Sequence, residues 1–214
     1  MRNGTSFLGV VRGMTTPLSF AVTWDYRCPF ARNGHEHILD GLEGGAEWDV
    51  TFVAYFLNQG MGTEGQNTWG DPAHQSDLFA LAAGVAVRDR FPEHFLAVHR
   101  SLFTARHDEA ADLRDRSVVH AALARTGVDA DAVLAEVDAG WPAEVIRKEH
   151  ERCVEELDVF GVPTFVVEED AVFARLMNRP GGDSALARST IDRILGLIEG
   201  SPELNEFKHT RLSR

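Results

Sequence analysis

The sequence predicts an α/β fold interrupted by an all-α insertion, and three observations carry that prediction. An apolar run, Ser19 to Trp24, ends in Asp25-Tyr26-Arg27 and gives way at Cys28-Pro29 to a helical pattern. A β-branched and aromatic run, Val162-Pro163-Thr164-Phe165-Val166-Val167, stands far downstream. Between them, from Gln75 to Leu157, nearly every segment is compatible with helix.

Residues before about Met14 read as a loose leader, with Met14 an alternative start. Ser19 to Trp24 is the first strand. Cys28 to about Gly41 is the first helix, because Pro29 suits a first helical position and Ile38, Leu39 and Leu42 recur at helical spacing. Gly41, Gly44 and Gly45 end it. Trp48 to Phe56 alternates and is rich in β-formers, so it is the second strand, parallel to the first through a βαβ unit. Leu57 to about His74 contains four glycines and no sustained period, which reads as a loop.

Five helices follow, over Asp77–Phe91, Pro92–Arg106, Asp115–Thr126, Asp129–Asp138 and Pro142–Leu157, punctuated by Gly127 and Gly140. The strand after Pro163 runs to Val167, Glu168 to Asp170 turns the chain, and Ala171 to Leu176 is the hairpin partner. Asp183 caps a last helix to Glu199, and Leu204 and Phe207 fold back from the tail. The α/β domain thus comprises residues 14–74 and 159–200, the insertion 75–158 and the tail 201–214.

Composition narrows the function. With 214 residues, 44% hydrophobic and 25% charged, the chain has the balance of a globular protein with a substantial core. A net charge of −12 with no basic stripe excludes a nucleic-acid surface. No apolar run is long enough to cross a bilayer, and the N-terminal apolar stretch is too short for a signal peptide, so a cytoplasmic location is expected. Of 21 basic residues only Lys148 and Lys208 are lysines, a bias that suggests a high-GC, actinobacterial genome and makes mycothiol a candidate small thiol beside glutathione. The oligomeric state is open, a homodimer being one option.

Cys28 is the residue with chemistry to offer. At the mouth of a helix, unpaired backbone N–H groups and the helix dipole favour a thiolate, which predicts a lowered pKa. Pro163 sits where a ladder donor would be lost, so it belongs to an edge, a bulge or a cis turn. Strand–Cys28-Pro29–helix and Gly161-Val162-Pro163-Thr164-Phe165 together resemble the thioredoxin superfamily, in its DsbA-like, FrnE-like branch with a helical insertion; the likeness spans roughly Phe20 to Leu197. The resemblance implies a thioredoxin-like fold in which Pro163 is cis and Val162 faces the Cys28 sulfur. It departs from the usual Cys-x-x-Cys at Ala31, so the motif Cys-Pro-Phe-Ala excludes a disulfide within the motif.

The leading expectation is a monothiol oxidoreductase: Cys28 forms a mixed disulfide that an external low-molecular-weight thiol, mycothiol or glutathione, resolves. Its partners are that thiol and a small-molecule or protein disulfide; no resident cofactor is expected. The chain also looks similar to kappa-class glutathione transferases and hydroxychromene-carboxylate isomerases, which carry Ser-Pro at this place and bind a thiol cofactor. A catalytically silent binding protein is the third reading.

Trp24 and Asp25 read either as core and cap or as neighbours that tune the sulfur, and Pro29, Val162, Pro163 and Thr164 frame it. Trp69 reads either as loop packing or as one wall of a substrate cleft, and Arg175, with Asn178 and Arg179, either as a donor to an anionic group in that cleft or as solvation of the hairpin. Arg27 and Arg32 read as solvated, the alternative being that they add positive potential near the sulfur. Cys153 reads as a buried thiol, the alternative being a remote resolving cysteine. His35 and His37 splay on their helix and, with His94, His99 and His107, read as surface residues whose spacings match no metal motif.

Overall fold

The structure is a computed structural model and describes residues 17–60, 69, 72–206 and 208–209. The leader, Met14, Phe207 and residues 61–68 and 70–71 of the expected loop lie outside the described residues.

Strand β1, Leu18–Trp24, is the middle of the molecule. Its partner β2, Trp48–Ala54, runs parallel to it in the register Leu18↔Trp48 to Trp24↔Ala54. A parallel pair needs a crossover, and helix α1, Pro29–Glu43, supplies it. On the other side β1 pairs antiparallel with β3, Thr164–Val167, at Ala21↔Val166 and Val22↔Phe165. β3 turns through Glu168-Glu169 into β4, Asp170–Phe173, giving the sheet order β2-β1-β3-β4.

The second strand ends at Ala54, two residues before the expected Phe56, and β4 ends at Phe173, before the expected Leu176. The last ladder bond runs from the Ala174 N–H to the Pro163 carbonyl at 3.2 Å, and the pairing stops there because Pro163 has no N–H to return it. The expected loop after Phe56 also proves shorter. A single turn, α2 (Leu57–Gly60), follows the strand, and α3 (Pro72–Arg90) starts with Pro72, a residue that suits a first helical position.

The insertion is helical throughout. A 3-10 turn at Pro92–His94 leads into α4 (Phe95–His107), followed by α5 (Arg116–Ala124), α6 (Ala130–Asp138) and α7 (Trp141–Leu157). The aspartates foreseen at helix starts act as N-caps: Asp115 accepts from Ser117 N–H and Asp129 from Ala132 N–H. Asp183 does the same for α8, Ser184–Gly200, which packs along α1.

Phe20, Val22 and Trp24 of β1 are buried, as are Phe165 of β3 and Phe52 of β2. Each such side chain taken from water is worth about 1.5–3 kcal/mol, so β1 anchors both the sheet and the turn that follows it. Helix α1 carries His35, Glu36, His37 and Asp40 yet buries them all. It lies between α8 and α4, and Arg100 of α4 reaches across to Glu36, Asp40 and Glu43. The surface reading of His35, His37 and His99 is therefore corrected: all three are buried, His35 and His99 where α4 meets α1, and His37 against the segment after β4, whose Asn178 carbonyl it meets at 3.2 Å. No helix among the described residues is long and apolar enough to cross a membrane.

Candidate active site

Cys28 is the N-cap of α1. Its backbone is held by its own turn, the Cys28 N–H donating to the Asp25 carbonyl at 3.1 Å, and Pro29 opens the helix. The sulfur accepts from the Ala31 N–H at 3.4 Å. On its other side the Sγ–H donates to the Val162 carbonyl at 3.3 Å, so residues 134 positions apart meet at one sulfur. The Val162–Pro163 peptide is cis.

Two further contacts lock the loop that carries Val162. The Thr164 N–H donates to Thr23 Oγ1 at 2.9 Å, and the Thr164 hydroxyl donates to the Gly161 carbonyl at 2.8 Å. Helix α1 approaches the loop through Gly34, where a β-carbon would stand 3.1 Å from Pro163 Cγ. A larger side chain there would drive the helix and the loop apart.

The electrostatics correct the expectation of a thiolate. Burial pushes the Cys28 thiol above its ordinary value, and the Asp25 charge adds to the rise. The Ala31 and Phe30 N–H groups and the Arg175 charge pull the other way without overcoming burial. In its resting form Cys28 is a thiol, and its hydrogen bond to the Val162 carbonyl is one that only a thiol can make.

Asp25 is 2% exposed and serves the backbone. Its carboxylate accepts from the Arg27 N–H at 2.9 Å and the Leu57 N–H at 3.0 Å, tying the turn before Cys28 to the start of α2. Trp24 is a core residue whose carbonyl accepts from the Tyr55 N–H. Trp69 lays its ring against Phe56 and His150, at 5.5 and 5.4 Å. The solvated reading of Arg27 and Arg32 is corrected. Arg27 donates to Asn58 at 2.7 Å and lies over the Phe56 ring, and Arg32 is buried and paired with Asp108 of the α4–α5 loop.

Arg175 comes to the site from the other chain segment. Its guanidinium lies 4.8 Å over the Phe30 ring and 5.6 Å over Phe173, and Phe173 meets Phe160, which is 71% exposed. Arg179 pairs instead with Asp108, and Asn178 gives its carbonyl to His37. A polar cavity of about 380 Å³ lies on the Arg27 side of the turn, lined among others by Asp77, Arg106 and Arg114, and the sulfur is not part of its wall.

Sequence reasoning missed a buried hydrogen-bond chain beneath the turn. His35 Nε2 must donate to the Thr23 carbonyl, at 3.1 Å, so its Nδ1 accepts from His99 Nε2 at 2.9 Å. His99 Nδ1 then accepts from the Tyr26 hydroxyl at 2.9 Å. The direction of every donor is fixed, and both rings are neutral: burial lowers His35 to about 4 and holds His99 well below its usual range. His107 adds a bond to the Tyr26 carbonyl, at 2.8 Å. Only an aromatic-rich turn facing His99 and His107 at helical spacing hinted at this.

Cys153 is free and buried in α7, where burial raises its thiol to about 11. Among the described residues no group of three or more His, Cys, Asp and Glu is arranged to hold a metal ion.

A sequence profile of the DSBA-like thioredoxin domain matches residues 22–178. No curated protein shows significant sequence similarity to the chain. Among solved structures the fold is similar to Pseudomonas aeruginosa DsbA, at 20% identity and a TM-score of 0.57, covering 89% of this chain and 87% of that one. It is also similar to MdbA, a thiol-disulfide oxidoreductase from Actinomyces oris, at 16% identity and 0.58, covering 87% and 84%. The cytosolic disulfide reductase DsbM from Pseudomonas aeruginosa, solved with GSH, matches at 16% identity and 0.58, covering 83% of this chain and 99% of that one. The chain belongs to the DSBA-like thioredoxin domain family and carries the fold of the thiol-disulfide oxidoreductases.

Proposed function

We propose that the protein is a thiol-disulfide oxidoreductase of monothiol type, working through Cys28 with an external low-molecular-weight thiol in a reducing, cytoplasmic setting. The observation that carries the reading is the sulfur itself. Cys28 Sγ caps a helix, touches the Val162 carbonyl across the Pro163 loop, and has Ala31 where the motif would otherwise offer a second cysteine.

In the first half of the cycle the Cys28 sulfur loses its proton to solvent and attacks one sulfur of a disulfide R–S–S–R. A Cys28–S–S–R bond forms and R–S⁻ leaves. The sulfur then has no proton to donate, so the Val162 carbonyl is released to accept an N–H from an extended partner. In the second half an external thiolate attacks the R sulfur, expels Cys28 as thiolate and leaves as the oxidised product. Thr164 and Thr23 hold the loop in place through both halves. The likeness to a cytosolic reductase solved with GSH supports a small thiol as co-substrate.

The test is turnover of a small disulfide in the presence of a small thiol. Cys28→Ser should abolish it and Cys153→Ser should leave most of it. Loss on Cys153→Ser with trapping of the mixed disulfide would overturn the monothiol reading. One observation favours a second reading: a resting thiol donor at the helix mouth suits a site that hydrogen-bonds a bound cofactor thiolate, as in a thiol-dependent transferase or isomerase. Tight binding of a thiol by wild-type protein without adduct formation at Cys28 would select it.

A further inference from the structure

Arg175 is an exposed cation that no carboxylate among the described residues neutralises. Among the described residues no carboxylate pairs with it and none of its N–H groups has a hydrogen-bond partner, while Arg27, Arg32 and Arg179 all face aspartates. Two aromatic rings fix it instead. Phe30 belongs to the first turn of α1, two positions after Cys28, and Phe173 ends β4; the guanidinium spans both at 4.8 and 5.6 Å. Stacking of this kind holds the group in place and leaves its in-plane donors facing solvent.

Its place in the fold ties it to the sulfur. The preceding residue, Ala174, is bonded to the Pro163 carbonyl, and the neighbouring Val162 carbonyl is the partner of Cys28 Sγ. The residue thus stands on the rim of the site, on the side of the Pro163 loop. In a chain of net charge −12, an anion approaching this surface is repelled on average, so one unpaired arginine beside the nucleophile decides whether it docks.

We propose that Arg175 is the specificity-determining residue for a carboxylate carried by the small disulfide that Cys28 attacks. The inference rests on the thiol-exchange reading above and names its substrate class: low-molecular-weight disulfides bearing a carboxylate, of the glutathione kind, in preference to uncharged ones of the mycothiol kind. The guanidinium fork receives the carboxylate through charge-assisted hydrogen bonds while the Cys28 sulfur displaces R–S⁻ from R–S–S–R. Nothing is transferred to Arg175; it holds the R group in place until the external thiol removes it.

The experiment measures single-turnover rates of adduct formation on the Cys28 peptide, by mass, with three symmetrical disulfides: 3,3′-dithiodipropionate (anionic), 2-hydroxyethyl disulfide (neutral) and cystamine (cationic). Wild type is compared with Arg175→Gln, and Arg179→Gln serves as a control at a nearby arginine that already has a partner. Each disulfide is compared with itself in the two proteins, so leaving-group differences cancel. The expected result is a fall of about threefold to fivefold in the anionic-to-neutral rate ratio for Arg175→Gln, the range of one exposed charge pair, with cystamine spared and Arg179→Gln unchanged. An equal fall for all three disulfides overturns the proposal, because Arg175 would then act only on thiol acidity. Absence of any Cys28 adduct in wild type is a separate result and overturns the exchange reading together with the proposal.

Discussion

Replacing His99 by Phe probes the buried chain that joins α4 to the turn bearing Cys28. His99 is fully enclosed and ringed by Trp24, Phe95 and Phe103 at 5.4, 4.9 and 5.0 Å, so a phenyl group keeps an aromatic ring in its place but adds volume. That overpacking cancels in a double-mutant cycle, whose coupling reports the hydrogen bonds. Two groups lose the bond they make to His99, the Tyr26 hydroxyl its acceptor and His35 Nδ1 its donor, on residues 1% and 0% exposed. At about 1–3 kcal/mol for each orphaned buried group, the variant loses about 2–6 kcal/mol. Tyr26→Phe orphans His99 Nδ1 alone and costs about 1–3 kcal/mol. Once His99 is Phe, removing the Tyr26 hydroxyl relieves an unsatisfied donor, so Tyr26→Phe becomes neutral or stabilising in that background. Urea unfolding of the four proteins measures the cycle, read at constant slope. Additivity of the two single costs within about 0.5 kcal/mol would refute the chain.

Three further outcomes follow from the same structure. The folded His35 titrates at about 4 against an ordinary 6.5, so the unfolded chain binds a proton that the folded state refuses; stability falls as pH drops from 6.5 toward 4, by up to about 3 kcal/mol from this residue. The pH dependence of unfolding should flatten in His35→Gln, and an unchanged profile counts against a buried neutral His35. Alkylation of Cys28 followed against pH should show a midpoint above the ordinary thiol value of 9.0, since burial outweighs the helix N–H groups; a midpoint below it would restore the thiolate reading. Gly34→Val should destabilise the protein by about 1–3 kcal/mol through overpacking against Pro163, and a neutral effect would show that the loop yields freely.

Much of the fold could be read from local pattern. Pro29 behind Cys28, and Asp115, Asp129 and Asp183 before apolar periods, are signals that act within one turn of helix, and each marks a helix start in the structure. The departure at Ala31 was equally legible, because it concerns four consecutive residues. The chemistry of the sulfur was not. A helix mouth favours the thiolate, but the opposing term is burial against the Val162 loop, 134 positions away. The histidines were misread for a similar reason. His35 and His99 look polar on their own helices, and their burial exists only where α4 meets α1. Pro72 was passed over as the start of α3 because the glycines around it dominated the reading.

The measurement closest to the central claim is a peptide map after single-turnover oxidation of the wild-type protein by a small disulfide. The account predicts one mixed disulfide at Cys28, removed by added thiol, with Cys153 unmodified. A stable Cys28–Cys153 bridge would contradict it, since the protein would then resolve its own adduct and need no external thiol.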